Sequence, residues 1–287
     1  MALIRIGNEE VSVEVSSLGA EMQSLVARDG QDWLWDGDAA FWGGRSPVLF
    51  PIVGKAPGDH LSIGGTRYPM GQHGFARRNE FELVGSGEDW CRFELRSSPA
   101  TRAIYPFDFV LAVEHRVEGR AVSVAAEVTN ADDRPMPFGI GFHPAFVWPL
   151  PGCEGLEHSV VLDDGGEPEL QRLSGGLLGS HKLPSPFSNG ALTLKHHLFD
   201  ADAMIFPEGA GAGVTYAARD KAVHFTWDNL PNFAIWSKPG APFVCLEPWR
   251  GMAAEAGGTD AIEERPYTEV LGPGATGRYQ FKAELVG

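Results

Sequence analysis

An all-β fold, a sandwich or barrel built of many short strands, is what this 287-residue chain predicts, and three observations carry the expectation. Apolar and polar residues alternate in short runs, the period of a half-buried strand. Glycine (36) and proline (21) are scattered along the whole chain as punctuation between those runs, with no low-complexity block. Helical periodicity is almost absent, and nothing in the pattern suggests βαβ units.

In chain order, Val11-Ser12-Val13-Glu14-Val15 is the first alternating run. Residues 38–42 read as a short helix, and residues 61–68, 81–84 and 92–95 as strands. From 109 to 117 the odd positions Phe109, Leu111, Val113 and Val117 form one apolar face, and from 121 to 130 the even positions Val122, Val124, Ala126 and Val128 do so. Both are expected to be long antiparallel strands. Residues 159–162, 191–194, 214–216, 223–227, 233–236 and 243–246 complete the strand set, and a second short helix is expected near 260–264. The stretch 149–186 is rich in glycine, proline and charge, the composition of a linker. We read it as long inter-strand connections, because the candidate acid–base residues fall on both sides of it, and expect residues 1–287 to form a single domain.

Composition narrows the function. A hydrophobic fraction of 43% with 21% charged residues is that of an ordinary globular chain. No apolar run approaches the roughly 20 residues needed to span a bilayer. A formal net charge of −15 opposes binding to nucleic acid and to anionic membranes, although a local basic pocket could still take a phosphorylated metabolite. The first ten residues lack a basic start followed by an apolar stretch, so the cytoplasm is the expected compartment. Cys91, Cys153 and Cys245 are too few and too widely spaced for a disulfide framework or a CxxC metal site, and three packed thiols are expected.

Two histidines and one late glutamate stand out. They are His73 in Gly71-Gln72-His73-Gly74-Phe75-Ala76-Arg77, His143 in Gly141-Phe142-His143-Pro144, and Glu247 in Cys245-Leu246-Glu247-Pro248-Trp249. Imidazole gives or takes a proton at neutral pH, and a carboxylate is its complement. A lone histidine is most often a hydrogen-bonded structural residue, but glycine or proline beside each of these two suggests a strand end that faces a ligand. Glu247 closes the apolar run 241–246, where a carboxylate is costly unless paired or used. The structural alternative is an ion pair with an arginine such as Arg250.

Arg45, in Phe41-Trp42-Gly43-Gly44-Arg45-Ser46-Pro47, is a fork-shaped donor among aromatics and glycines, the mixture that suits sugar hydroxyls and ring faces. Trp42, Phe75, Trp236 and Trp249 are stacking candidates, each with a core residue as the plainer reading. His115 falls in register with Phe109, Leu111 and Val113, as a core histidine would. The adjacent pair His196-His197 would point to opposite faces of a strand, a poor geometry for joint metal ligation. The remaining histidines carry no motif.

Four segments in order, Gly44-Arg45-Ser46-Pro47-Val48-Leu49-Phe50-Pro51-Ile52-Val53-Gly54, His73-Gly74-Phe75-Ala76-Arg77, Gly141-Phe142-His143-Pro144-Ala145-Phe146 and Glu247-Pro248-Trp249, resemble the aldose 1-epimerase (galactose mutarotase) family, and most of all its LacX-like branch. The resemblance implies the family's large antiparallel β-sandwich, a supersandwich with very little helix. It also implies an isomerase that interconverts the α and β anomers of an aldohexose such as galactose or glucose without cofactor or metal, as a monomer or homodimer. By the same resemblance His143 is the general acid at the ring oxygen, Glu247 the general base, and His73 a group that holds and polarises the hydroxyls near the anomeric centre. Arg45 takes the substrate-binding arginine position and Asp202 the acidic binding position, with Asp200 as its rival; Trp236, taken from the stacking candidates above, is expected as a further substrate contact.

Three other functions compete. A hexose-6-phosphate mutarotase would need cations at the far end of the sugar, for which Lys55, Arg77 and Arg78 are available. A carbohydrate-binding or sensing protein of the same fold has no need of a paired acid and base. A glycosidase normally requires two carboxyl groups across the scissile bond, where only Glu247 stands out and Asp202 is a distant second.

Overall fold

The structure, a computed structural model, describes residues 2–287. Its largest sheet has nine antiparallel strands in the order Ala191–Thr193, Ser159–Leu162, Gly213–Ala218, Lys221–Asp228, Thr276–Val286, Ala121–Asn130, Phe109–Glu118, Trp90–Arg96 and Glu82–Ser86. Against it lie a three-stranded sheet, Leu3–Gly7, Val11–Ser16 and Met22–Ala27, and a six-stranded sheet. The latter runs Met204–Phe206, Asn232–Trp236, Phe243–Arg250, Ile140–Phe142 and Val48–Leu49, with Ala145–Val147 also paired to Phe243–Arg250.

Alternation explains the layering. The predicted faces of the strands Phe109–Glu118 and Ala121–Asn130 are both buried, and the two strands pair antiparallel with Val124 opposite His115. On the central strand Thr276–Val286, Tyr279, Phe281, Ala283 and Leu285 point into the core between outward Arg278, Lys282 and Glu284. Aromatic contacts join the sheets: Phe281 meets Phe142 at 5.0 Å, Phe225 meets Phe146 at 5.9 Å, and Trp227 stacks on Phe233 at 4.6 Å. Each fully buried side chain of this size contributes roughly 1.5–3 kcal/mol relative to exposure, so the interlayer aromatics are a principal source of stability.

The six-stranded sheet also has two unlike faces. Phe233, Ile235, Val244 and Leu246 enter the main core. The alternate residues look outward, where Phe243 and Cys245 join one small apolar cluster and Ala234 and Trp249 another. Glu247 lies between those clusters on the same outer face, because the strand alternates through it.

Several sequence expectations are corrected. Residues 61–68 are not one strand but a hairpin, His60–Ile63 and Thr66–Pro69, since Gly64 and Gly65 both take positive φ and form a tight turn. Residues 38–42 make a single turn without helix, and the second expected helix is a 3₁₀ turn, Ile262–Glu264. His196 and His197 begin a 3₁₀ turn, His196–Phe199, and are not on a strand. The strands Leu3–Gly7, Met22–Ala27 and Thr276–Val286 had no counterpart in the sequence reading. The three cysteines are free and buried, as expected.

His115 is a core histidine. Its Nε2 donates to the Ala20 carbonyl at 2.9 Å, and burial pushes its pKa down to about 4 from an ordinary value of 6.5. Between those values the unfolded chain binds a proton that the folded chain refuses, so stability is lost as pH falls from 6.5 toward 4. Urea unfolding between neutral and acid pH should show a shallower pH slope in His115→Gln, reduced by at most about 1.4 kcal/mol per pH unit. An unchanged slope would remove His115 as its source.

Candidate active site

Strand register brings the predicted acid–base residues together. Gly141 pairs with Trp249 and Ala145 with Cys245, which brackets His143 directly opposite Glu247 on neighbouring chain segments. Cross-strand neighbours on one face are in contact. His143 Nε2 lies 3.1 Å from a Glu247 carboxylate oxygen, and both side chains are almost wholly buried. Pro144 interrupts the strand here, but its carbonyl still accepts from Leu246 N–H at 3.2 Å, keeping the register.

His73 arrives from a loop. Its backbone is left-handed, with φ of 63°, and Gly74 follows at 70°. A Cβ at Gly74 would fall 2.1 Å from the Phe50 carbonyl oxygen, so only glycine lets this loop close on the segment before Gly54. Phe75 and Ala76 then donate their N–H groups to that same carbonyl. His73 Nδ1 accepts from Gly54 N–H at 3.1 Å, which leaves the proton of the neutral ring on Nε2. The His73 and His143 rings meet edge to face with centroids 5.7 Å apart.

Beside Gly54 lies Arg265, buried and without a carboxylate partner among the described residues. Its guanidinium donates to the carbonyls of Val53 at 2.7 Å, Met252 at 2.9 Å and Lys55 at 3.2 Å, and burial lowers its pKa to about 10. One cation thus pins the segment that orients His73.

These residues border a cavity of about 430 Å³, ample for a monosaccharide. Trp42, Trp236 and Trp249 line it, with Lys55, Gln72, Arg77 and Asp202. Trp249 Nε1 and Arg77 Nε are buried and lack hydrogen-bond partners among the described residues. Part of the rim is the hairpin Leu173–Ser174 and Leu177–Leu178, turned by Gly175-Gly176. That hairpin belongs to the irregular stretch read above as inter-strand connection, where Ser-Gly-Gly-Leu was an available turn signal.

The predicted binding residues fare unequally. Trp236 lies on the outer face of its strand and meets His143 edge-on at 5.6 Å. Asp202 lines the cavity and Asp200 does not; both sit in a turn after the 3₁₀ segment, and not on one face of a strand. Asp202 has φ of 66°, and its Oδ1 caps Ala203 N–H at 2.8 Å. Arg45 is absent from the cavity lining. Its guanidinium instead donates to the Gln23 carbonyl, while its main-chain N–H and that of Ser46 donate to the Glu21 carboxylate at 2.7 and 2.9 Å. Arg77, four residues after His73, is the arginine that reaches the cavity.

Burial dominates the electrostatics. It raises Glu247 well above the usual carboxylate range, with the negative charge of Asp202 adding to it. It lowers His143 to about 3, and His73 well below its ordinary value, with nearby Arg77 acting in the same direction on both. Burial thus drives both members of the pair toward their neutral forms. His143, Cys245 and Glu247 also present donor atoms within 4.8 Å of one another, the geometry of a small metal site. Burial raises the Cys245 thiol well above its ordinary value, which disfavours the thiolate a metal would need.

The model of the aldose 1-epimerase family matches residues 2–251. The chain belongs to the aldose 1-epimerase family. It is 30% identical over 283 residues to the plasmid-borne protein LacX of Lactococcus lactis subsp. lactis, covering 93% of this chain and 94% of that protein. Among solved structures it is similar to a galactose mutarotase related enzyme from Lactobacillus acidophilus, at 28% identity and a TM-score of 0.93 over 99% of this chain and 97% of that one. It is also similar to a galactose mutarotase-like protein from Lactobacillus casei, at 29% identity and 0.91 over 99% and 100%. The layered antiparallel architecture is the galactose mutarotase-like β-sandwich of that family.

Replacing Arg265 by methionine would leave the Val53 and Met252 carbonyls without their donor, each unmet acceptor costing about 1–3 kcal/mol, while the Lys55 carbonyl keeps the Ala254 N–H. Arg265→Met should therefore lower the free energy of unfolding in urea by at least about 2 kcal/mol. A loss within a few tenths would show that this cation does not hold the segment.

Proposed function

We propose that the protein is an aldose 1-epimerase that interconverts the α and β anomers of an unphosphorylated aldohexose, as one domain over residues 1–287, in the cytoplasm. The observation that carries this reading is the 3.1 Å contact of His143 with Glu247 in the wall of a sugar-sized cavity. A binding protein would gain nothing from two buried titratable groups facing each other, and both are expensive to bury.

The chemistry needs one proton on the pair and a choice of where it sits. Sugar hydroxyls that hydrogen-bond the Glu247 carboxylate favour its charged form and send the proton to His143. Glu247 then accepts the proton of the anomeric hydroxyl while His143 Nε2–H donates to the ring oxygen. The bond from C1 to the ring oxygen breaks and an aldehyde forms. Rotation about C1–C2 presents the other carbonyl face, and reclosure with the roles exchanged gives the other anomer. The pair holds one proton throughout. His73 contributes its Nε2–H to a hydroxyl near the anomeric carbon, and Asp202, Arg77 and Trp236 orient the rest of the ring.

A phosphorylated aldohexose is the second reading, favoured by the two cations Lys55 and Arg77 on the cavity wall. Polarimetry of freshly dissolved α-glucose and α-galactose, with anomer-exchange NMR of glucose 6-phosphate, separates the two. Acceleration of a free sugar above the spontaneous rate is expected; acceleration of the phosphate alone would move the assignment, and none at all would overturn it.

Glu247→Gln and His143→Asn should each reduce kcat by at least about 10²-fold, the order of general acid–base help, with circular dichroism unchanged. Full activity in either folded variant would remove that residue from the mechanism.

A further inference from the structure

We propose that Trp42 is the positioning residue of His143, holding the imidazole by its face and providing the π surface against which the imidazolium forms; the inference rests on the acid–base reading above. Imidazoles in acid–base sets are commonly oriented by a hydrogen bond from Nδ1 to a carbonyl or carboxylate. Here Nδ1 of His143 is buried and has no such partner among the described residues. Rings surround it instead. Trp236 and His73 approach edge-on, and Trp42 alone lies face to face, with centroids 4.8 Å apart and planes 30° from parallel. An indole face attracts a cation within about 6 Å of its centroid, more strongly where water is excluded.

Trp42 is itself held. Its carbonyl accepts from Trp35 Nε1–H at 2.8 Å, its N–H donates to the Asp38 carbonyl at 2.9 Å, and Lys238 Nζ donates to the preceding Phe41 carbonyl at 2.9 Å. The indole rests against Phe243 and Trp236. Gly44 completes the clamp, because a Cβ there would fall 2.5 Å from the six-membered ring of Trp42. The turn at 38–42 thus delivers one aromatic to one imidazole.

The test compares Trp42→Leu, Trp42→Phe and Gly44→Ala by steady-state mutarotation, and by ¹⁵N NMR of histidine-labelled, ligand-free protein, with the His143 signals identified by their loss in His143→Asn. Trp42→Leu should lower kcat roughly 10-fold and change KM less than about 2-fold, with Trp42→Phe recovering most of the rate because it keeps a π face. Gly44→Ala, which displaces the indole without removing it, should resemble Trp42→Leu. In both, the His143 ring-nitrogen signals should move from their wild-type positions and broaden, because the imidazole loses the face that fixes its orientation. A rise in KM at constant kcat would overturn the proposal and make Trp42 a sugar platform, and His143 signals unchanged in Trp42→Leu would also overturn it. A wild type that turns over no sugar, with His143 still perturbed in Trp42→Leu, would defeat the acid–base reading and leave the positioning role standing.

Discussion

Two titratable side chains that neither solvent nor a formal charge partner supports, His143 and Glu247, face each other across neighbouring strands, and much of the surrounding structure keeps them that way. Their 3.1 Å contact exists because the strand Phe243–Arg250 pairs on one side with two short strands interrupted at Pro144, without loss of register. A slip of one residue would turn Glu247 into the main core and Leu246 onto the cavity wall. The inward-facing Phe233, Ile235, Val244 and Leu246 prevent it, since any slip would expose them. The hydrophobic layer between the sheets therefore sets the geometry of the polar face.

On that polar face the cost of burial becomes chemistry. Desolvation drives both members of the pair toward neutrality, and the proposed mechanism places one proton between them. A group that keeps a single proton, with two places to put it, can act as acid at one oxygen and base at another. Apolar clusters flank the pair on the same outer face, one around Cys245 and Phe243 and one around Trp249 and Leu49.

The remaining wall is positioned by single polar contacts in otherwise irregular chain. Glu21 gathers the N–H groups of Arg45 and Ser46, Arg265 gathers the carbonyls of Val53, Lys55 and Met252, and Gly54 N–H sets the His73 tautomer. Each is a charged or polar group that reaches a main-chain partner far away in sequence. They turn glycine- and proline-rich connections into a fixed wall without regular secondary structure.

How much of this was legible beforehand follows from the range of each interaction. Alternation is local, so the faces of residues 109–117 and 121–130 and the all-β class could be read from neighbouring letters, and the motifs around His73, His143 and Glu247 carried the family; the face Glu247 takes could not be, because the run 241–246 before it is apolar throughout. The strand Thr276–Val286 alternates as cleanly and was legible in principle. The fate of Arg45 was not: whether its guanidinium turns to a sugar or to the Gln23 carbonyl depends on a strand some twenty residues earlier, and Arg77 takes the cavity position through a loop closed on Phe50. The choice of Asp202 over Asp200, the stacking of Trp42 on His143 and the pinning of Val53 by Arg265 are likewise contacts between distant segments. By itself the sequence determined which residues alternate, which can move a proton and where the chain can bend; which of them share a cavity was decided by the tertiary structure, because strand register and long-range hydrogen bonds bring together side chains that no local pattern relates.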